Sequence, residues 1–226
     1  GFVEAVDDLR LTNPASNEAL LAALAEDLIE QKYDLKSLMR LILLSETYQR
    51  SSEPLEQNRT DARFYSRYYP KRLSAEVLLD ALSSVTLAPT TFPGYPAGTR
   101  ALELRDAEVA SYFLQTFGRP DRLITCECER TAEPSMTQVL HILNGETLNE
   151  KLARKADAKA KTEDNRIGQL LAANALDAQL VEEVYLAAYS RYPTDAEESQ
   201  ILAVLADAPP EHKRESLEDL YWSLLS

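Results

Sequence analysis

The chain has 226 residues, of which 45% are hydrophobic and 27% charged, and its formal net charge is -13. This is enough apolar material for one packed core and too little length to require two, so one domain over residues 1–226 is predicted. The acidic balance excludes nucleic acid as a general partner, because phosphate binding depends on clustered Lys and Arg. No stretch reaches the roughly 18 uninterrupted apolar residues of a membrane span, so none is predicted.

Helical periodicity runs through the chain. There are only six glycines, and each glycine destabilises a helix by about 1 kcal/mol relative to alanine. We therefore predict a mainly α fold, a single irregular multi-helix domain with at most a small β element. The first helix follows the turn at Asn13 to Asn17, and its apolar stripe runs from Leu20 to Ile29. The next, from Leu35 to Tyr48, is apolar almost all round and is predicted to lie at the centre of the core.

The middle of the chain alternates between helix and loop. A helix opened by Ser74 is followed by residues 87–105, whose prolines and glycines predict a long loop. Within it, Leu102 and Leu104 alternate with charged residues and give a weak strand signal. A short helix ending near Gly118 is predicted after the loop.

Further helices are predicted in the second half. One follows Pro134, and its predicted core face consists of Met136, Val139, Leu140 and Leu143. Residues 151–166 are highly charged and predict a solvated helix or a linker. Three more helices are predicted near 177–191, after a Thr194 and Glu197 capping box, and near 211–225. The stripes together predict one core that contains Leu38, Ile42, Leu82, Leu140, Val184 and Leu220.

The densest group of reactive side chains is the segment Cys126 to Arg130. Cys126, Cys128 and a nearby histidine could hold zinc or form a redox site, but structural zinc sites usually space their cysteines more widely and supply four clear ligands. We therefore predict no bound metal and no cofactor, and expect purified protein to lack stoichiometric zinc. A metal or redox site at the two cysteines remains an alternative.

Polar residues also gather along one side of the helix after Pro134. Thr137, His141 and Asn144 are spaced i, i+4 and i+7, which places them on one side of a helix. An ordinary solvated face explains this pattern, and one wall of a ligand cleft explains it as well. The predicted ligand-binding residues combine this stripe with nearby charges: Arg119, Arg122, Glu129, Arg130, Thr137, His141 and Asn144.

Glu129 and Arg130 also admit a structural role, and an ion pair that anchors their segment is favoured over a cleft. The sequence contains no Gly-x-Ser-x-Gly elbow, no glycine-rich phosphate loop and no dinucleotide fingerprint. Catalytic residues are therefore not assigned. A hydrolase acting on carbohydrate or ester around Glu129 and His141 remains an alternative function.

Several segments together resemble a planctomycete-type domain of unknown function, numbered 1553. The resemblance covers nearly the whole chain. It is carried by Val6 to Arg10, Thr12 to Asn17, Tyr33 to Leu38, Ser45 to Ser51, Arg72 to Glu76, Phe117 to Pro120, Cys126 to Arg130, and Pro134 with Gln138, Leu140, Leu143 and Asn144.

The resemblance implies a setting rather than a reaction. Such domains are carried on large exported proteins, beside neighbouring domains that often include a cytochrome-like module, so an exported, periplasmic or cell-surface location is expected. This chain has no Cys-x-x-Cys-His and is expected to carry no haem itself. Relative to the family, the chain is expected to be truncated at both ends.

The leading hypothesis is a non-catalytic interaction or substrate-binding module within an extracytoplasmic multidomain protein. The acidic composition, the long loop and the missing catalytic signatures favour it. The expected partners are neighbouring domains of the same polypeptide, with a polysaccharide or a protein as the bound partner.

Overall fold

A computed structural model describes residues 2–3, 6–61, 64–105, 108–121, 134–153 and 164–226. All regular secondary structure in these ranges is helical, which confirms the mainly α prediction. The chain divides into an N-terminal unit, Gly1–Arg72 with Ile124–Glu129, and a C-terminal unit, Leu73–Leu123 with Arg130–Ser226. The single domain over residues 1–226 stays a prediction. No helix within the described ranges is long and apolar enough to cross a bilayer.

The N-terminal unit is built on two consecutive helices, α1 (Glu18–Glu30) and α2 (Leu35–Leu43). The sequence predicts Ser16 or Asn17 as the cap of α1, and the Asn17 side chain caps it by accepting a hydrogen bond from the Leu20 amide at 3.0 Å. Asp34 caps α2 in the same way. Between the two helices the chain reverses through Lys32 and Tyr33, which adopt left-handed φ values of 54° and 63°.

Neither α1 nor α2 contains a buried residue. The prediction that α2 lies at the centre of the core is therefore wrong: Ile42 is 40% exposed and Leu38 is only half-buried. Two short helices can cover only the stripes that face each other. The apolar face of α2 is wider than the stripe that α1 covers, and Lys36, Ser37 and Arg40 form its polar side, so several apolar side chains stay exposed.

The N-terminal unit also contains a 3-10 turn (Glu56–Asn58), and the other helices of the described ranges lie in the C-terminal unit with the buried core. In chain order they are α3 (Ala75–Thr86), a 3-10 turn (Ala101–Glu103), α4 (Tyr112–Thr116), α5 (Met136–Asn144), α6 (Glu146–Ala153), α7 (Arg166–Ala172), α8 (Asp177–Tyr189), α9 (Asp195–Asp207), a second 3-10 turn (Pro210–His212) and α10 (Lys213–Leu225). Leu82 and Val184 are buried and Leu220 packs against them in this core, as predicted. Thr194 and Glu197 form the predicted capping box of α9.

The loop of residues 87–105 is packed rather than free. Phe92 and Leu104 are buried in the core. The Asp80 carboxylate on α3 accepts hydrogen bonds from the amides of Ala101 and Leu102 at 2.7 and 3.2 Å. This capping winds the chain into the 3-10 turn, and no strand forms where the alternation of Leu102 and Leu104 suggested one.

Part of the charged segment 151–166 is structural rather than solvated. Lys151 on α6 is buried and Arg166 begins α7, while residues 154–163 lie outside the described ranges. Arg166 donates to the carbonyl oxygens of Val85 at 2.7 Å and Ser84 at 3.2 Å. These carbonyls belong to the last turn of α3, where the helix dipole favours a cation.

Helix α5 faces opposite to its predicted direction. Met136, Val139 and Leu140 are 72%, 50% and 53% exposed, so their predicted core positions are wrong. Gln138 is buried instead, and its amide donates to the Thr116 carbonyl oxygen at 2.9 Å. This hydrogen bond and the aromatic surroundings of His141 give the polar side of α5 its own partners, which periodicity of apolar residues could not reveal.

Candidate functional site

The predicted ligand-binding residues fall partly outside the described ranges. Arg122, Glu129 and Arg130 lie there, as do Cys126 and Cys128. The Glu129–Arg130 ion pair and the metal or redox alternative therefore stay predictions. Within the described ranges, no three His, Cys, Asp or Glu side chains gather in a way that could hold a metal ion.

Arg119 is buried in an ion pair with Glu76. Its Nε lies 3.7 Å from Glu76 Oε1, and the two side chains are only 4% and 8% exposed. One Arg119 Nη also donates to the Leu104 carbonyl oxygen at 3.4 Å. A buried charge is costly without a partner. The pair therefore supports a structural role for Arg119, joining the chain after α4 to the first turn of α3.

His141 lies half-buried among aromatic rings. The ring centroids of Tyr112, Phe113 and Phe117 are 5.4, 5.5 and 6.0 Å from that of the imidazole. Its Nε2 lies 3.0 Å from the Thr147 hydroxyl. Burial lowers the pKa of His141 more than the nearby Glu146 raises it. The imidazole is therefore neutral at neutral pH and packs as part of a small aromatic cluster.

The polar stripe on α5 is thus divided. Thr137 and Asn144 are exposed to solvent, whereas His141 packs against α4. The structure brings His141 near Phe117, two residues before Arg119, so the two predicted regions meet at the end of α4. Packed rings make this contact, and the neighbouring Arg119 pairs with Glu76 on α3, so both features stabilise the C-terminal unit.

A large cleft lies in the N-terminal unit, where the sequence predicted core. Its volume is about 1090 Å³, comparable with the largest sites for small ligands, which occupy about 300–1,000 Å³. Its wall consists of α1, α2 and the chain around residues 65–71. The lining side chains are mostly apolar or aromatic: Phe2, Leu20, Ala23, Leu24, Leu41, Ile42, Leu44, Tyr48, Tyr65, Tyr68 and Tyr69, with Asp27, Gln31, Ser37, Arg40, Ser45, Thr47, Arg67 and Lys71.

The tyrosine side of the cleft is held in place by hydrogen bonds. Tyr65 has a left-handed φ of 52°, which costs a non-glycine residue about 1–2 kcal/mol. The strained backbone is fixed on both sides, since Arg50 donates to the Tyr65 carbonyl oxygen at 2.6 Å and the Tyr65 amide donates to the Tyr69 hydroxyl at 3.1 Å. Strain maintained in this way is typical of ligand sites.

The rings on this side pack closely. Tyr48 and Tyr68 meet edge to face with centroids 5.8 Å apart. The guanidinium of Arg67 lies over the ring of Tyr69, 5.0 Å from its centroid. These contacts arrange a preformed aromatic wall beside the helices.

Among the described residues that line the cleft, most charges are positive. These residues include three cations, Arg40, Arg67 and Lys71, and one carboxylate, Asp27, in a chain whose formal net charge is -13. The side chains of Arg40 and Lys71 make no hydrogen bond or ion pair with other residues of the described ranges. Arg67 Nε has no hydrogen-bond partner there either, although its Nη1 donates weakly to two carbonyl oxygens. The cleft thus presents unused cationic donors beside apolar surface.

Sequence reasoning missed this cleft because an apolar helix was assigned to the core. Two signals could have indicated it. Tyr65, Tyr68 and Tyr69 cluster shortly after α2, and Arg40 interrupts the apolar surface of that helix.

A smaller cleft of about 580 Å³ lies in the C-terminal unit. It is lined by polar side chains that include Asp80, Ser83, Thr90 and Arg100. The Asp80 carboxylate already accepts hydrogen bonds from the amides of Ala101 and Leu102. Ser83 and Thr90 accept hydrogen bonds from the Lys151 ammonium at 2.9 and 2.8 Å. These groups hold the loop against α3.

Comparison with known families gives one match. A family model described as PSD1, protein of unknown function (DUF1553), matches residues 1–205. No curated protein and no solved structure matches the chain significantly. The resemblance to the domain numbered 1553 is thereby confirmed.

Proposed function

The chain belongs to the PSD1 family of proteins of unknown function (DUF1553), and we propose that it is a non-catalytic interaction module that binds a partner through the cleft of its N-terminal unit. The exported, multidomain setting implied by the family resemblance is part of this proposal.

One observation carries the proposal: the apolar surface of α1 and α2 is open. Leu41 and Leu44 line the cleft and are 47% and 70% exposed. Contiguous exposed apolar surface of this kind marks an interaction site in a soluble protein. A helix with a wide apolar face normally packs that face against another element. Binding a partner would cover these side chains.

The reactive groups of the C-terminal unit support structural roles instead of catalysis. Lys151 resembles a general base beside Ser83, but its ammonium donates to three oxygens, including the Ala88 carbonyl oxygen at 2.6 Å. The Ser83 hydroxyl donates to the Leu79 carbonyl oxygen at 2.8 Å. A nucleophile needs a neutral base ready to take its proton. In this arrangement Lys151 fixes the loop after α3.

The test is selection from a random peptide library against the purified chain. Selected peptides should shift the NMR resonances of Leu41, Leu44 and Tyr48, whereas the resonances of α8 should not change. If the selected peptides shift only resonances of the C-terminal unit, the assignment of the site is contradicted.

A second candidate function is favoured by the aromatic wall. Tyrosine rings that are held in position, such as Tyr48 and Tyr68, suit stacking against sugar rings, and the leading hypothesis from sequence included a polysaccharide. A titration with neutral and anionic oligosaccharides, monitored through the NMR resonances of the tyrosine rings, tests this carbohydrate-binding function. Saturable shifts confined to the cleft tyrosines would support a carbohydrate site over a polypeptide site.

A further inference from the structure

We infer that the partner of the N-terminal cleft is an amphipathic α-helix of another polypeptide, with an apolar face flanked by carboxylates. This inference rests on the proposed function and names the chemistry of the partner. It follows from the extent of the open surface, the shape of the cleft and the sign of its charges.

The open surface is too extensive for a small ligand. Besides the cleft residues, Leu35 and Met39 on α2 are 61% and 59% exposed, and neither lines the cleft. A small molecule inside the cleft would leave the neighbouring apolar surface in water. A polypeptide can continue beyond the cleft and cover more of α2, so the extent of apolar surface favours a protein segment.

The shape of the cleft suits a helix. An α-helix with its side chains is about 10 Å across and rises about 5.4 Å per turn, so a volume near 1090 Å³ accommodates about two turns. Two helices and the segment 65–71 form the walls, which resembles the helix-in-groove mode of recognition. In that mode, apolar anchors spaced i, i+3, i+4 and i+7 enter the groove.

Charge selects among such helices. Arg40, Arg67 and Lys71 line the cleft, and Arg40 and Lys71 have no ionic partner within the described ranges. Arg67 adds a third positive charge to the lining, with its guanidinium over the ring of Tyr69. Carboxylates on the flank of a bound helix would supply acceptors for these donors, whereas lysines at the same places would be repelled. The cleft therefore fits a helix with Glu or Asp beside its apolar face.

The experiment uses two synthetic peptides of about 18 residues, long enough to form a helix on binding. Both carry Leu at the four anchor positions; one has Glu at the flanking positions and the other Lys. Calorimetric titration of the whole chain should give affinity for the Glu peptide at least about tenfold higher, a preference that falls as salt increases from about 50 to about 500 mM.

Charge-reversal variants test whether the preference for the Glu peptide arises from the cleft. Arg40→Glu and Lys71→Glu together should abolish the preference for the Glu peptide, because both exposed cations line the cleft. Lys36→Glu is the matched control, since Lys36 lies on α2 but does not line the cleft. It should leave the preference intact.

The outcomes separate the two proposals. Equal binding of both peptides would overturn the acidic partner while leaving the apolar docking site. Absence of binding by either peptide, or binding unaffected by Leu44→Glu, would overturn the docking site itself. If an anionic oligosaccharide binds more tightly than the Glu peptide and displaces it from the cleft, the partner is a carbohydrate and the inference of a helical partner is overturned.

Discussion

The Lys151 ammonium donates a hydrogen bond of 2.6 Å to the carbonyl oxygen of Ala88, just beyond the C-terminal end of α3. The same ammonium also donates to the hydroxyls of Ser83 and Thr90. The α3 helix, the following loop and α6 are thus joined by one buried cation.

Lys151→Met should lower the free energy of unfolding by about 1–3 kcal/mol, because the Ala88 carbonyl loses its partner in a buried position. Chemical denaturation measures the change. Lys213→Met is the control, since Lys213 forms a half-exposed ion pair with Asp177 and such pairs contribute about 0–1 kcal/mol. Equal effects of the two substitutions would show that Lys151 is not a structural link.

The sequence could predict where helices begin but not which residues bind across the fold. Asn17 and Thr194 identified helix starts because capping depends on residues three positions away. Lys151 bonds to residues more than 60 positions away, and a charged segment gives no sign of that. Long-range hydrogen bonds of this kind decide which polar residues are buried.

Leu140 tests the orientation of α5. Leu140→Ala should reduce the free energy of unfolding by less than about 1 kcal/mol, because its side chain is 53% exposed. Leu82→Ala should cost about 2–5 kcal/mol, because Leu82 is only 4% exposed. If the two substitutions cost the same in urea denaturation, α5 does not present Leu140 to solvent.

Tyr221 is buried with a hydroxyl that has no hydrogen-bond partner within the described ranges. Burial raises the pKa of this hydroxyl, which stays protonated. Tyr221→Phe should therefore raise the free energy of unfolding by about 1 kcal/mol, since an unpaired buried hydroxyl is removed.

Tyr189→Phe is its control, because the Tyr189 hydroxyl donates to the Leu224 carbonyl oxygen at 3.1 Å. It should lower the free energy of unfolding by about 0.5–1.5 kcal/mol. A loss of stability in Tyr221→Phe as large as in Tyr189→Phe would indicate that the Tyr221 hydroxyl is satisfied.

His141 should make stability depend on pH. Burial lowers its pKa in the folded chain, so the unfolded chain binds a proton first as the pH falls below about 6.5. The free energy of unfolding should therefore decrease between pH 7 and pH 5, through the lowered folded pKa. Urea denaturation of the wild type and His141→Phe at several pH values should show a shallower dependence in the variant. Identical slopes would place the imidazole in a solvent-like environment.

The N-terminal unit shows why the candidate site could not be predicted. The sequence predicts the position of α2 as a helix, but periodicity cannot tell whether a partner or the same chain covers an apolar face. The tyrosines that complete the cleft lie about 20 residues further on, and their position depends on contacts such as that between Arg50 and Tyr65.

One calorimetric titration tests directly whether the cleft of the N-terminal unit is the docking site. The Glu-flanked peptide is titrated into the wild type, Leu44→Glu and Leu140→Glu, which both place a carboxylate at an exposed leucine. Leu44→Glu should weaken binding by about tenfold or more, because the carboxylate would be buried against the apolar face of the peptide. Leu140→Glu should bind as the wild type does. Unchanged affinity in Leu44→Glu would show that the peptide does not dock in this cleft.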